Sequence, residues 1–421
     1  MAKVLYLPVG IGLAHTGRSI MIARELRKRG VDVVFGAGGD AAVLLNREHL
    51  SFFPLPEFKR AVYEKKVKNN NFFIYSRKTI ENFVRAELEL YDKVKPDLIV
   101  FDTRITAKIS SQIAKIPVIS VNNVDVTRYY DYSKTKFPAT TSLEKFLPPK
   151  ILALLDKKYG QKLLRFIGPK VMQAVFLVMI IRYSRPLLQL GYKFSRDPYQ
   201  IFTGDLTILA DIPQYRPVTG LPENFKLVGP IFWDGGEKLP RWHKEIEGKK
   251  DVIYVTAGGT GDKEIFMKIL EYLKGTNFTV VATTGNTLKP SVVKLSSPNI
   301  FVTDILPGGW IMKRAKLVIF PGGNLTAYQA LSFGVPQICT PFHFDQEDNT
   351  NQLVRLGTGI MINPRFNLSK DAFLNAVGRI MVDETYKTNA RGMQKILADY
   401  HGAETAAEEI AKYLHQELKI T

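Results

Sequence analysis

Two sets of residues in this chain have the types and spacing to do chemistry. The first lies in Val318 to Ile360, VIFPGGNLTAYQALSFGVPQICTPFHFDQEDNTNQLVRLGTGI. Val318–Phe320 reads as a buried strand, Pro321 to Asn324 as a turn, Leu325–Phe333 as a short helix stopped by Gly334, and Val335–Cys339 as the next strand. A helix that opens on a Gly-rich turn points its first N–H groups outward, and those unpaired donors make an anion site. Gly322 and Gly323 form the turn, and Asn324 and Thr326 add side-chain donors to it. The chemistry suits a diphosphate. Asp345 and Gln346, expected on a loop after the next strand, offer acceptors and an amide for sugar hydroxyls. A phosphate cradle with a polyol clamp points to a nucleotide-sugar.

The second set is His15 and Asp102. His15 sits on a Gly-flanked loop, GIGLAHTGRS, just before the first helix. A neutral imidazole there is suited to remove one proton from a hydroxyl near neutral pH. The imidazolium so formed needs a carboxylate to orient and stabilise it. Asp102 ends the strand DLIVFD, on what should be the same sheet edge. It has two readings, as that partner or as a cap for the helix after Ile105.

The combined pattern GGN-x-T-x(2)-QAL-x(2)-GVP, followed by DQ-x(2)-N, closely resembles the donor signature of the UDP-glycosyltransferase superfamily, family 1 of the GT-B fold. The resemblance extends to Asp304-Ile305-Leu306-Pro307, which looks like that superfamily's loop beside the nucleotide base. It implies a donor site at Gly258, Gly259, Thr260, Ile305, Gly322, Gly323, Asn324, Thr326, Gln329, Asp345 and Gln346. Ala23 and Leu26 lie 8 and 11 residues after His15, the spacing by which the superfamily places its base. By that resemblance His15 is the base and Asp102 its partner. Arg18 stands where the superfamily usually has Pro. Pro321 replaces a usual His before the Gly-Gly, and Gln329 replaces the usual ribose-binding Glu. The reaction that the resemblance implies is inverting sugar transfer from a nucleotide-diphosphate sugar, expected to be UDP-linked. The helix N-terminus and the Gly258–Thr260 loop neutralise the leaving group. No metal and no cofactor are expected.

The elements needed to hold these residues follow from periodicity. Lys3–Leu7, Asp32–Phe35, Asp97–Phe101 and Pro117–Val121 are short apolar runs that alternate with helical patterns over Arg18–Arg29 and Ala107–Ala114. Asp251–Thr256, Phe278–Thr283, Ile300–Val302 and Leu317–Phe320 repeat the scheme, with a helix over Asp262–Leu273. Strand–helix alternation implies an α/β fold with parallel, doubly wound sheets. The expected architecture is GT-B, two Rossmann-like domains facing a cleft. The expected domains are an acceptor-binding domain over 1–235, a linker over 236–250, a nucleotide-sugar-binding domain over 251–400, and a C-terminal helix over 401–421 packing back across the domains. Ser51–Ala86, rich in Phe, Tyr and Lys, fits no simple pattern.

Charge is unevenly placed. Of a net +18, residues 1–250 hold +17, with 41 Lys and Arg against 24 Asp and Glu. A half so basic implies an anionic partner. The acceptor side contains the chain's least ordinary segment, Ile151–Phe194. Its charge-free run Val171–Ile181 reads as too short to span a bilayer. Lys157, Lys158, Lys162, Arg165, Lys170, Arg182 and Arg185 surround it, with Asp156 the sole acid. Apolar residues flanked by bases are what an interfacial helix shows to anionic lipid. A buried core helix or a subunit face is the plainer alternative. The segment resembles the basic, apolar acceptor domains of lipid glycosyltransferases.

The expected partners are thus a nucleotide-sugar donor, a lipid or hydrophobic acceptor and an anionic membrane surface. The rivals are a transferase for a soluble acceptor, a GT-B epimerase, and a nucleic-acid binder, for which charge is the only support. The first residues, MAKVLYLPVG, read as a strand and not a signal peptide, and the expected location is cytoplasmic, on the inner face of the membrane. The single cysteine, Cys339, reads as a core residue.

Overall fold

The computed structural model describes residues 2–419 apart from 69–73, 139, 145, 194, 236–237, 260, 286–288, 294–296, 365 and 367. The chain forms two compact units. Unit 1 comprises Met1–Lys134, Arg165–Trp233 and His401–Thr421, and unit 2 comprises Thr135–Leu164 and Asp234–Tyr400.

In unit 1, β1 (Lys3–Pro8), β2 (Asp32–Ala37) and β3 (Phe52–Pro54) alternate with α1 (Leu13–Lys28) and α2 (Gly39–Arg47). Helices α3 (Arg60–Lys68) and α4 (Arg77–Val94) precede β4 (Leu98–Asp102), and α5 (Ile105–Ala114) leads to β5 (Val118–Asn122). Short α6 (Thr140–Leu143) and α7 (Pro149–Leu155), which belong to unit 2, and the 31-residue α8 (Lys158–Leu188), which is in unit 1 from Arg165 onward, come before β6 (Leu206–Leu209) and β7 (Phe225–Leu227). The seven strands are all parallel, in the order β3-β2-β1-β4-β5-β6-β7. A parallel sheet is covered on both faces, so its strands are apolar throughout. Val4, Leu5, Tyr6 and Leu7 of β1 are accordingly all fully buried.

Helix α1 buries Ile20, Ile22, Ala23 and Leu26 in a core shared with Ala406, Ala407, Ile410 and Leu414 of α15 (Gly402–Gln416). The C-terminal helix therefore belongs to unit 1. The unplaced aromatic stretch finds its use here. Phe58, Tyr75 and Phe83 form an aromatic cluster, with ring centroids 4.6 to 6.1 Å apart, and Tyr183 of α8 joins it.

Unit 2 repeats the plan with β8 (Val252–Thr256), α9 (Lys263–Leu273), β9 (Thr279–Thr283), β10 (Ile300–Thr303), α10 (Gly308–Met312), β11 (Ala315–Phe320), α11 (Asn324–Ser332), β12 (Gln337–Cys339), α12 (Phe344–Arg355) and β13 (Gly359–Met361). Its six strands are parallel, in the order β10-β9-β8-β11-β12-β13. Helices α13 (Lys370–Val382) and α14 (Glu384–Leu397) complete it. Asp262, expected inside a helix, is instead the N-cap of α9, accepting from the N–H groups of Glu264 and Ile265. Both sheets are doubly wound, with switch points between β1 and β4 and between β8 and β11. Ligands in such sheets sit beyond the carboxyl ends of the strands at the switch point.

Thr135–Leu164, expected with the N-terminal domain, packs in unit 2 against α12. Glu347 accepts from the N–H and hydroxyl of Thr141, both at 2.7 Å, and Gln352 donates to Thr135 at 2.6 Å. The Phe137 ring lies 5.8 Å from Phe344. Gln161 ties the start of α8 to the backbone of Phe137.

Helix α8 corrects one expectation. Its stretch Lys158–Tyr183 is long and apolar enough to cross a membrane by length and composition. Counting only the charge-free Val171–Ile181 missed Leu163, Leu164, Phe166 and Ile167 on the same helix. Phe176, Met179, Ile180, Tyr183 and Leu187 form one buried face, against Ile80, Phe83, Ile109 and Phe202 of unit 1. Leu163, Phe166, Ile167, Val171, Val178 and Ile181 remain exposed. The helix contains no acidic residue.

Candidate functional site

At the first switch point, β1 runs into a loop clamped by two carboxylates. The Gly10 N–H donates to Glu57 at 2.8 Å and the Gly12 N–H to Asp40 at 3.0 Å. Only glycine fits the first position, since a Cβ on Gly10 would lie 2.4 Å from the Gly38 carbonyl. Gly12, at φ 78°, turns the chain into α1. His15 thus falls in the first turn of α1. Asp102 ends β4, opposite Pro8 of β1 in the ladder. Thr103, at φ 57°, turns the chain away at once and leaves the carboxylate at the sheet edge.

The two predicted residues meet. His15 Nδ1 lies 2.7 Å from Asp102 Oδ1. A carboxylate only accepts, so Nδ1 carries the hydrogen and Nε2 keeps its lone pair. Asp102 is fully buried, whereas the His15 side chain is 32% exposed. The imidazole is therefore accessible, and its orienting group is not.

Arg18, noted in the sequence only as a substitute for Pro, is the third member. Its Nε donates to Asp102 Oδ2 at 2.6 Å, and a terminal nitrogen donates to Oδ1 at 2.6 Å. The other terminal nitrogen donates to Asn123 at 3.0 Å. Asn123 in turn donates to Asp211 at 3.0 Å, and Arg216 pairs with Asp211 and Asp125. Burial by itself raises the Asp102 carboxyl, but Arg18 and His15 outweigh it and hold it below the usual carboxylate range. The signal for Arg18 was in the sequence: positions i and i+3 share a helix face. A second buried cluster supports the same loop, with Arg104 bridging Glu57 at 2.9 Å and Glu87 at 2.6 Å.

At the second switch point, the loops after β8 and β11 carry the donor candidates. Gly258, at φ 62°, donates its N–H to Thr256 at 3.1 Å. That hydroxyl accepts from Thr283, which in turn bonds Tyr254, both at 2.8 Å, so the loop rests on a chain of hydroxyls. Gly259 adjoins it, and Thr260 lies outside the described residues. Gly322, at φ 108°, is buried against α12, where a Cβ would lie 2.7 Å from the Gln346 carbonyl. Gly323 is the N-cap of α11 and supplies no side-chain cap, which leaves Asn324 and Thr326 in the first turn around open N–H groups. Gln329 lies hard against the start of α10, since a Cβ on Gly308 would fall 1.8 Å from Gln329 Nε2.

Asp345 and Gln346 differ from the expected loop and occupy the first turn of α12. His343 in extended conformation is the N-cap, so the helix begins as soon as the chain clears Pro341. Asp345 is exposed, while Gln346 is buried and accepts from the Phe342 N–H at 3.2 Å. His343 was not singled out in the sequence. Its ring is half-buried with Nε2 enclosed, and burial pushes the imidazole down to about 4. Among the described residues no group of three His, Cys, Asp or Glu side chains could hold a metal ion.

The predicted basic residues lie along α8, with Lys157 immediately before it. Lys157, Lys158, Lys162, Lys170, Arg182 and Arg185 are exposed. Arg165 is half-buried and donates to the Ser133 carbonyl at 3.1 Å. The Lys170 ammonium sits 3.8 Å from the centre of the exposed Phe166 ring.

Residues 267–416 match the family of erythromycin biosynthesis protein CIII-like C-terminal domains. Over 401 residues the chain is 28% identical to a PGL/p-HBAD biosynthesis rhamnosyltransferase of Mycobacterium bovis, covering 92% of this chain and 82% of the relative. Among solved structures, the calicheamicin glycosyltransferase CalG4 superposes with a TM-score of 0.68 at 20% identity, over 99% of both chains. The glycosyltransferase VinC in complex with dTDP superposes with a TM-score of 0.68 at 14% identity, over 97% of this chain and 98% of that one.

Proposed function

Since the chain belongs to the family 1 glycosyltransferases of the GT-B fold, we propose that it transfers a sugar, with inversion, from a nucleoside diphosphate to a hydroxyl of a lipid or other hydrophobic acceptor. In this reading His15 Nε2 takes the acceptor's proton as its oxygen attacks the anomeric carbon. The bond from that carbon to the diphosphate breaks on the opposite face, which inverts the centre. Asp102 holds the tautomer and balances the imidazolium. The first N–H groups of α11, with Asn324 and Thr326, and the Gly258 loop receive the leaving charge without a metal. Asp345 and Gln346 hold the sugar. The donor is UDP- or dTDP-linked. The superfamily signature favours the first and the dTDP-bound neighbour the second. Rhamnose is the first sugar to test, after the name of the mycobacterial relative.

One observation carries the acceptor class: the exposed apolar stripe of α8, free of acids and edged by Lys158, Lys162, Lys170, Arg182 and Arg185. It fits a protein held peripherally on the anionic inner face of a membrane. The second reading is a soluble small-molecule acceptor. Thermal-shift screening with UDP, dTDP and their sugars identifies the donor, because a ligand of the folded state raises the melting point. Transfer is then assayed with acceptor lipids in anionic vesicles. Turnover that needs anionic vesicles supports the lipid reading, and turnover equal on soluble aglycones without vesicles rejects it.

A further inference from the structure

We propose that Arg18 is a positioning residue that neutralises and orients Asp102, so that His15 works as the base of a three-residue cluster that carries no net charge before proton uptake. The inference rests on the reading of His15 as the base.

The geometry is that of a side-on clamp. Arg18 binds both oxygens of Asp102 at 2.6 Å, and its side chain is 8% exposed. One guanidinium nitrogen also lies 3.3 Å from His15 Nδ1, so the two donors converge on Asp102 Oδ1. A His–Asp pair alone is −1 with the imidazole neutral, and proton uptake brings it to zero. With Arg18 the cluster starts at zero, and the same proton takes it to +1 beside a guanidinium. Proton uptake therefore meets a repulsion from the guanidinium that a His–Asp pair alone would not have. In return the buried carboxylate stays ionised, and its fixed plane holds the Nδ1–H tautomer.

The surrounding charges do not undo this balance. From β1, the buried Tyr6 hydroxyl is pushed up by burial and by Asp102, and it stays neutral. From α1, Ser19 bonds the His15 carbonyl. Thr103 donates to Asp102 at 3.1 Å. Beyond Asn123, Asp211 is paired with Arg216. On the preceding loop, Glu57 is paired with Arg104 and Asp40 with Arg60. Arg18 is thus the cation assigned to Asp102 within this cluster.

The test uses the full chain with Arg18→Gln, which keeps a donor without the charge, and Arg18→Lys, which keeps the charge without the fork. His15 ring nitrogens are followed by NMR against pH, assigned by their loss in His15→Ala. In R18Q the pH at which His15 takes up its proton should rise by about one unit or more. In R18K it should stay near the native value while the tautomer becomes mixed. Transfer by R18Q should fall about tenfold on the acid side and recover as pH rises. Should R18Q not fold, Asp102→Asn is compared with Asp102→Asn/Arg18→Gln, and the double variant should take up its proton at higher pH. Folded R18Q, or the double variant, titrating like its parent overturns the proposal, as does a loss of rate uniform across pH. If His15→Ala keeps its rate, the base reading fails instead, and the NMR titration still judges Arg18.

Discussion

His15 meets Asp102 across 87 positions of sequence and 2.7 Å of space. In the proposed reaction the chemistry at this scale depends on one proton and one carboxylate. His15→Ala should lower transfer by about 10²–10⁴-fold, the usual cost of losing a general base, while donor binding by calorimetry stays near the native value. Transfer at the native rate would remove His15 from the mechanism. Asp102→Asn should cost less if the aspartate only orients. Asp345→Ala should weaken the nucleotide-sugar more than the free nucleotide, and equal losses for both in a titration would contradict the sugar-clamp role. Arg104 is a residue of stability, not chemistry. It is 1% exposed between Glu57 and Glu87. Arg104→Met strands two buried carboxylates and should cost about 3–5 kcal/mol in denaturant unfolding.

At the scale of elements, α8 has two faces with different duties. Its buried face holds it to unit 1, and its exposed stripe is open to a surface. Leu163→Asp, Ile167→Asp and Val171→Asp change exposed residues, so melting should shift little. Binding to anionic vesicles by flotation should nevertheless be lost. Reversing Lys157, Lys158, Lys162 and Lys170 to Glu should do the same, at about 1 kcal/mol per base near the surface. Arg165 is left in place because it also holds the Ser133 carbonyl. Unchanged flotation of both variants would leave the stripe as a subunit face. The strap from Thr135 to Leu164 is held to α12 by Glu347. Since α12 also carries Asp345, Glu347→Ala should speed proteolysis within the strap and weaken nucleotide-sugar binding together.

Across the molecule, pH and salt act through few groups. Burial holds His343 at about 4, below the ordinary 6.5, so the folded chain binds fewer protons than the unfolded chain between those values. Stability should therefore fall as pH drops from about 6.5 towards 4, and His343→Phe should flatten that part of the curve in thermal melts across pH. An unchanged slope would mean that other groups govern it. The +17 held by residues 1–250 makes salt the matching test for the surface, since its field is screened within about 10 Å at 0.1 M.

Local sequence determined a good deal about this chain. Alternating apolar runs and helical faces announced two parallel α/β sheets, because strands buried on both sides must be apolar along their length. Gly322, Gly323 and the residues after them announced a turn into a helix N-terminus, which leaves N–H donors open whatever lies around it. His15 and Asp102 were legible as ends of elements. Their contact was decided only when β1 and β4 became neighbours in the sheet. The duty of Arg18 was decided there too, since its carboxylate partner is 84 residues away and i,i+3 spacing alone shows only that it faces the same way as His15. The same holds for α8. Composition marked it as basic and apolar, but which apolar residues are buried depends on the aromatic cluster of Phe58, Tyr75 and Phe83, brought in from distant sequence. The turn that became α12, and the strap packed on it, were illegible for the same reason. Local pattern records which residues want burial or a partner, and the tertiary fold chooses the partner.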